Sequence, residues 1–214
     1  MPTVGYIDPV TPSGTLTPPT KTGYYFGGYY TGTNGTGTKY YNANMTSANT
    51  WAESSSITLH AYWIKENYCF EFHMNEGSAI GNICYNYGAT VTAPTTPTLT
   101  GYTWGGWKSD AGLTTTFTFP STMPDYGSDG AVKHVYGKWT IESYTIQSND
   151  SAFSDITQNY GTNVTTPGTP SKTGYTFNSW KSDAGLTTTY TFPATMPDYG
   201  SNGAIKTVYT KWTP

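Results

Sequence analysis

Residues 101–140 read GYTWGGWKSDAGLTTTFTFPSTMPDYGSDGAVKHVYGKWT, and residues 174–213 read GYTFNSWKSDAGLTTTYTFPATMPDYGSNGAIKTVYTKWT. The two stretches differ at nine of forty positions and lie 73 residues apart. A weaker copy opens with GYYFGGYY at residues 23–30 and closes with HAYW at residues 60–63. Repetition at a fixed period predicts a tandem array of small units, each closed on itself, and argues against one enzyme core.

The period divides the chain into repeat 1 (residues 1–64), repeat 2 (residues 65–140) and repeat 3 (residues 141–214). In a unit of roughly 70 residues an apolar core is only marginally stabilising. Aromatic residues make up 16% of the chain, and each ring removes about 150 to 250 Å² from water when it is buried. We therefore expect cores filled with rings.

The composition predicts a mostly β fold of short strands and tight turns with little helix, because Thr, Tyr and Val abound and Gly and Pro recur at short intervals. Alternating apolar residues at 68–74 and 83–87 predict a hairpin that turns near residue 76. Further strands are predicted at the positions 101–107, 114–119 and 131–139. A short helix is expected only at 121–126 or its copy at 194–199.

The links between repeats contain no tether rich in Gly, Ser or Pro. Trp63 and Tyr68 have the same spacing as Trp139 and Tyr144, which predicts that neighbouring repeats are held stiffly. Only 22 residues precede Gly23, so repeat 1 is predicted to lack most of its first strand. Either repeat 1 is a truncated or degenerate terminal copy, or its open edge is completed by strand addition from another chain.

Charge argues against several classes of partner. Charged residues are 11% of the chain, the formal net charge is -3 and every basic residue is Lys. No nucleic-acid partner is expected, since phosphate and base recognition need clustered cations and favour Arg. Membrane insertion is not expected either, because no apolar run approaches about 20 residues. The start, MPTVGYIDPV, does not resemble a signal peptide, which leaves a piece of a longer secreted protein or a protein released within a virus particle.

Several motifs carry a resemblance to a known family. They are Tyr-Gly at 160–161, the Pro-containing segment 167–170, GYTFNSW at 174–180, the Thr-rich stretch 187–192 and YTKW at 209–212, with equivalents in repeat 2. In this order they are similar to the Listeria-Bacteroides repeat, the B-repeat of internalin-type surface proteins. The resemblance implies a β-grasp-like unit that serves in tandem as spacer, stalk or adhesive element on bacterial surfaces, without catalytic residues.

The two cysteines, Cys69 and Cys84, lie on the outward face of the predicted hairpin, at positions that can stand opposite each other. A disulfide there would stabilise repeat 2 by about 3 kcal/mol. Free thiols in a reducing compartment and a metal site are the alternatives. Repeat 3 has Thr145 and Thr157 at the equivalent positions.

No arrangement of nucleophile, base and orienting group, no phosphate loop and no metal signature stands out, so we expect no enzyme activity, cofactor or metal. Asp125 and Asp129 recur as Asp198 and Asn202, which favours turn-forming side chains over a calcium loop. The remaining candidates are rings, namely Trp104 and, in the insertion 31–56, Trp51, Tyr40 and Tyr41. They either contact a protein or glycan on a surface or pack the cores and the links between repeats.

These observations favour a non-catalytic structural or adhesive repeat protein, a stiff extracellular stalk or binding rod of the bacterial surface-protein type. The alternatives are a complete phage virion protein (capsid decoration, head fibre or tail fibre component) and a carbohydrate-binding module. The expected location is accordingly extracellular, on a cell surface or on a virion.

Overall fold

The computed structural model describes residues 17–214. This part of the chain is mostly β, and its helical content is one short 3-10 turn at Thr33–Gly35. The predicted mostly β fold is confirmed, whereas its β-grasp-like character stays a prediction. Contacts divide the chain into two compact units: the first holds the described chain up to Phe72, Ile80–Pro94 and Thr118–Val135, and the second holds His73–Ala79, Thr95–Phe117 and Tyr136–Pro214.

Repeat 1 forms a three-stranded sheet in the order β2-β1-β3. Its strands are β1 (Tyr24–Tyr30), β2 (Lys39–Tyr41) and β3 (His60–Lys65). Both partners of β1 are antiparallel to it, and β2 comes from the insertion. The predicted pairing of the open edge by residues 1–16, or by another chain in their place, concerns positions outside the described residues.

Repeat 2 forms a four-stranded sheet in the order β5-β4-β7-β6. Its strands are β4 (Asn67–His73), β5 (Ile83–Asn86), β6 (Tyr102–Lys108) and β7 (Val132–Ile141). Strands β4 and β5 are antiparallel, which confirms the predicted hairpin. The alternation predicted for β4 is confirmed too, since Tyr68, Phe70 and Phe72 are buried while the residues between them are partly exposed.

Repeat 3 has the same plan, a sheet in the order β9-β8-β11-β10. Its strands are β8 (Ser143–Ser148), β9 (Ile156–Asn159), β10 (Thr176–Lys181) and β11 (Ile205–Thr213). Strand β11 runs parallel to β8 and antiparallel to β10. Four fully buried side chains, Tyr144, Ile146, Met196 and Val208, form its core, and aromatic side chains such as Trp180 and Phe192 pack around them. Rings therefore surround this core as expected, but its fully buried centre holds one ring and three aliphatic or thioether side chains.

Two local predictions are wrong. Residues 114–119 form no regular strand and make only an isolated bridge between Thr116 and Lys108, because the Asp110 carboxylate holds the backbone N–H groups of Thr114 and Thr115 in a turn. Residues 121–126 form no helix either. Met123 instead exchanges backbone hydrogen bonds with the chain near Ala89, which draws this stretch into an extended form.

Candidate functional site: the junctions between repeats

Each of the first two repeats meets the next one at a glycine. Gly23 and Gly101 are both buried and have positive φ, 72° and 75°. A Cβ atom on Gly23 would lie 2.1 Å from Cγ of Tyr87, and one on Gly101 would lie 2.1 Å from Cγ of Tyr160. A tyrosine ring of the following repeat therefore lies directly on each glycine, at a distance that no other residue type allows.

The first junction lies within the first unit and is closed by hydrogen bonds on both sides of the glycine. The Gly23 carbonyl accepts from the backbone N–H of Glu66 at 3.0 Å, and the Gly23 N–H donates to Oδ2 of Asp125 at 3.1 Å. The Tyr68 hydroxyl donates to Glu66 and lies 2.9 Å from Oδ1 of Asp125. Repeat 2 thus forms hydrogen bonds with both backbone groups of Gly23, and Tyr68 links the two residues that make them.

The second junction, within the second unit, repeats this arrangement. The Gly101 carbonyl accepts from the N–H of Glu142 at 2.8 Å, and Tyr144 donates to the Glu142 carboxylate. Oδ1 of Asp198 lies 2.8 Å from the Tyr144 hydroxyl. Oε1 of Glu142 also accepts from the Thr103 hydroxyl at 2.7 Å. Two junctions in one chain are therefore built from the same residue types in the same roles.

The electrostatics of both junctions favour charged aspartates beside neutral tyrosines. Burial first, and then the hydrogen bonds to Glu66 and Asp125, raise the pKa of Tyr68, and Tyr144 is affected in the same way. The pKa of Asp125 is lowered by the N–H of Gly127, then by the Tyr68 hydroxyl and the N–H of Gly23. The pKa of Asp198 is lowered likewise by the N–H of Gly200, then by the Tyr144 hydroxyl and the N–H of Gly101. Asp125 and Asp198 therefore stay charged acceptors at neutral pH, where the two tyrosines keep their protons to donate.

The hydrogen bonds of Asp129 and Asn202 explain why an aspartate in repeat 2 can be an asparagine in repeat 3. Oδ1 of Asp129 accepts from the N–H of Asn67 at 2.7 Å, and Oδ1 of Asn202 accepts from the N–H of Ser143 at 2.8 Å. Either side chain supplies the oxygen that this hydrogen bond needs. Asp129 and Asn202 therefore accept from backbone N–H groups 62 and 59 residues away in sequence, and these hydrogen bonds tie the loop to a strand rather than form a turn.

A disulfide joins Cys69 and Cys84, which stand directly opposite each other on β4 and β5. In repeat 3 the hydroxyl oxygens of Thr145 and Thr157 lie 2.9 Å apart in the same register. The outward face of the hairpin thus carries a covalent link in one repeat and a hydrogen bond in the next. A disulfide is typical of proteins that work in an oxidising environment outside the cytosol.

The predicted contact rings of the insertion do not form one exposed surface. Tyr40 is 1% exposed and donates from its hydroxyl to Oε1 of Glu53 at 2.9 Å. Trp51 covers it at 4.8 Å between ring centroids and is itself partly exposed, as is Tyr41, which packs edge-on against Tyr29. Tyr40 therefore belongs to the core of repeat 1, and only Trp51 and Tyr41 present ring surface to solvent.

Trp104 lies in a cluster of three indoles within the second unit. Its ring centroid is 4.9 Å from that of Trp107 and 4.8 Å from that of Trp139. Beside this cluster a shallow groove is lined by the extended segment 96–100 together with Trp104 and Trp139. In repeat 3 the counterpart of Trp104, Phe177, packs in the same way against Trp180 and Trp212.

Sequence reasoning named Tyr68 and Tyr144 for their spacing and Asp125 and Asp198 as turn-forming residues, but it predicted no contact between them and the glycine of the preceding repeat. A signal for them exists in the repetition, because Glu-x-Tyr occurs at 66–68 and 142–144 and Pro-Asp-Tyr-Gly at 124–127 and 197–200. Recurrence by itself does not say that these segments meet the glycine of the preceding repeat.

No helix in the described part of the chain has the length and apolar character to cross a membrane.

Two relatives, both from Evansella cellulosilytica, resemble most of the chain. One, named "Putative Gly-rich membrane protein", is 30% identical over 195 residues, which are 90% of this chain and 21% of the relative. The other, named "Putative membrane protein", is 30% identical over 175 residues, 78% of this chain and 24% of the relative. The chain thus spans less than a quarter of the length of either relative.

The model of one protein family matches the chain three times. The Listeria-Bacteroides repeat domain is found at residues 3–62, 68–128 and 143–206, which together cover most of the sequence. The gaps between the matches contain the boundaries between repeats 1 and 2 and between repeats 2 and 3. The chain therefore belongs to the Listeria-Bacteroides repeat family and carries three repeats of it in tandem.

Proposed function

We propose that the chain is a non-catalytic structural repeat protein that works outside the cell, and that its function is to hold successive repeats at a fixed spacing. The observation that carries the proposal is the duplicated junction, in which a tyrosine ring lies on Gly23 or Gly101 and hydrogen bonds close both sides of the glycine. A flexible tether would need none of these contacts. The same contacts are expected in both junctions if the function of the chain depends on the spacing between repeats.

Location at a bacterial surface is the second part of this proposal. The Cys69–Cys84 disulfide suits an oxidising compartment, and both relatives are named as membrane proteins of a bacterium. These names favour the bacterial surface over the virion alternative. Membrane attachment would then belong to other parts of a longer protein, with the repeats serving as spacer or stalk.

Spin-label distances across one junction test the spacing function. Ala111 and Ala184 are exposed equivalents in repeats 2 and 3, both within the second unit, so nitroxides at Ala111→Cys and Ala184→Cys report on that junction alone. A single narrow distance distribution is expected, and it should broaden when Gly101→Ala is added. A distribution that is already broad without Gly101→Ala would refute the fixed spacing.

Adhesion through repeat 1 is a second candidate function, and the partly exposed ring of Trp51 favours it. The ring is backed by Tyr40, and amide side chains such as Asn42 and Asn44 lie in the same insertion. Aromatic faces beside amides suit sugars or a protein partner. Binding to a panel of cell-surface polysaccharides should be lost in Trp51→Ala and kept in Trp104→Phe, which copies the residue that repeat 3 has at this position. Equal binding by wild type and Trp51→Ala would end this candidate.

A further inference from the structure

The glycine that opens repeat 3 has the conformation of the two junction glycines. Gly174 has φ of 79°, against 72° for Gly23 and 75° for Gly101. In each repeat the residue after the glycine donates its N–H to the carbonyl two positions before the glycine, at 3.0 Å from Tyr24, 3.1 Å from Tyr102 and 3.0 Å from Tyr175. The turn that receives the next repeat is therefore preformed in all three repeats.

The surroundings of the three glycines differ in one respect. Gly23 and Gly101 are buried, whereas Gly174 is exposed, and apart from its two chain neighbours no described residue has an atom within 4 Å of a Cβ built on it. The neighbouring Tyr175 is 47% exposed, and among the large hydrophobic side chains of the described chain only Ile205 is more exposed, at 58%. Its counterparts Tyr24 and Tyr102 pack edge-on against the tyrosine of the next repeat, at 5.9 Å and 6.4 Å.

A lysine holds the exposed ring in the same pose as in repeat 1. Nζ of Lys172 lies 4.5 Å from the ring centroid of Tyr175, and Nζ of Lys21 lies 4.2 Å from that of Tyr24. The same lysines lie near the rings of Trp212 and Trp63. The lysine and tyrosine side chains at Gly174 are thus already placed as they are at the occupied Gly23 junction. Little conformational entropy would be lost from them when a partner binds.

From this match we infer that the face formed by Gly174, Tyr175 and Lys172 is a docking site for a further repeat of the same family. The partner must present what repeats 2 and 3 present to the glycine before them: a tyrosine ring, a backbone N–H from a Glu-x-Tyr segment and an aspartate. The tyrosine would cover Gly174, the N–H would donate to its carbonyl and the aspartate would accept from its N–H. The inference rests on junction geometry and does not depend on the proposed role as a spacer or on adhesion.

An extended chain tests the inference, with residues 141–213 copied directly after Thr213, as repeat 3 follows Thr140. The measured signals are the Hα resonances of three glycines, because an Hα under an aromatic ring is shifted upfield. In the 214-residue chain Gly23 and Gly101 should show this shift and Gly174 should not. In the extended chain Gly174 should acquire it, and its amide exchange should slow by about tenfold or more, as expected for an N–H that enters a hydrogen bond.

Two matched variants make the outcome decisive. Replacing the appended copy of Tyr160 by alanine should return the Gly174 resonance to its position in the 214-residue chain. A second extended chain carries residues 65–140 after Thr213 and offers the same contact set from repeat 2. A Gly174 resonance that stays unshifted in both extended chains, while Gly23 and Gly101 are shifted, would overturn the inference. Absence of the shift at Gly23 and Gly101 as well would refute the junction geometry from which it is drawn.

Discussion

Alanine at Gly101 should loosen the junction between repeats 2 and 3 far more than alanine at Gly174. Both glycines have φ near 75° to 79°, so both substitutions carry the left-handed backbone strain of a residue with a Cβ, about 1 to 2 kcal/mol. Only the Cβ at Gly101 also meets a ring, at 2.1 Å from Cγ of Tyr160. Displacing that ring adds overpacking strain of about 1 to 3 kcal/mol.

Amide hydrogen exchange of Glu142 is the assay that isolates this difference, because its N–H donates to the Gly101 carbonyl at 2.8 Å. Exchange is read residue by residue and needs no assumption that the whole chain unfolds in one step. The steric term of about 1 to 3 kcal/mol by itself corresponds to exchange roughly 5- to 150-fold faster in Gly101→Ala than in Gly174→Ala, whose strain lies in a turn that does not bind Glu142. Gly23→Ala should accelerate the Glu66 amide in the same way.

Equal acceleration of the Glu142 amide in Gly101→Ala and Gly174→Ala would refute this reasoning. It would mean that neither the displaced ring of Tyr160 nor the strain at residue 101 weakens the hydrogen bond between Glu142 and the carbonyl of residue 101. As a further control, Tyr160→Ala should accelerate the same amide and should partly relieve the extra effect of Gly101→Ala, because the atom that clashes is then gone.

Three further predictions concern side chains within the repeats. Removing the disulfide with Cys69→Ser and Cys84→Ser should lower the free energy of unfolding by about 3 kcal/mol, measured by urea unfolding of the oxidised protein and the variant. The pKa values of Asp110 and Asp183 are lowered to about 2, mainly by the backbone N–H groups of Thr115 and Thr188. The stability that these carboxylates contribute is therefore complete above about pH 4 and is lost as the pH falls towards 2. Carboxyl NMR titration measures both pKa values. Asp129→Asn should change the free energy of unfolding by less than about 0.5 kcal/mol and Asp129→Ala should lower it by about 1 kcal/mol, because repeat 3 already uses Asn202 here.

Each of these predictions has a contrary outcome. Two thiols that react with a titrating reagent in the native, unreduced protein would rule out the Cys69–Cys84 link. An Asp110 carboxyl that titrates near its ordinary value of 3.8 would contradict the turn hydrogen bonds. Equal stability of Asp129→Asn and Asp129→Ala would show that the side-chain oxygen is not used as an acceptor.

Local pattern was enough to predict much of the fold. The alternation at 68–74 and the positions of Cys69 and Cys84 led to β4, β5 and the disulfide between them, since side chains of paired strands alternate with period two. The same reasoning failed at 114–119. A Thr-rich stretch has the composition of a strand, but the Asp110 carboxylate binds two of its backbone N–H groups and bends it.

The contact rings show a different limit. Trp51, Tyr40 and Tyr41 lie in a segment that no other repeat contains, so the sequence leaves open whether each ring contacts a partner or packs the core. In the structure Tyr40 is buried beneath Trp51, and only the other two rings keep surface for a partner. Whether a ring faces solvent depends on which strand it sits on and what covers it, and a segment present once offers no second copy for comparison.

The sequence by itself determined the number of repeats, the β class, the hairpin with its cysteines and the absence of a tether at the links, because each of these depends on neighbours along the chain or on its period. Only the tertiary structure decided which residues of one repeat contact the glycine of the repeat before it. Gly23 and Asp125 lie 102 residues apart and form one hydrogen bond. No local periodicity encodes such a pair, since it exists only after two sheets have folded and the turn of one has met the loop of the other.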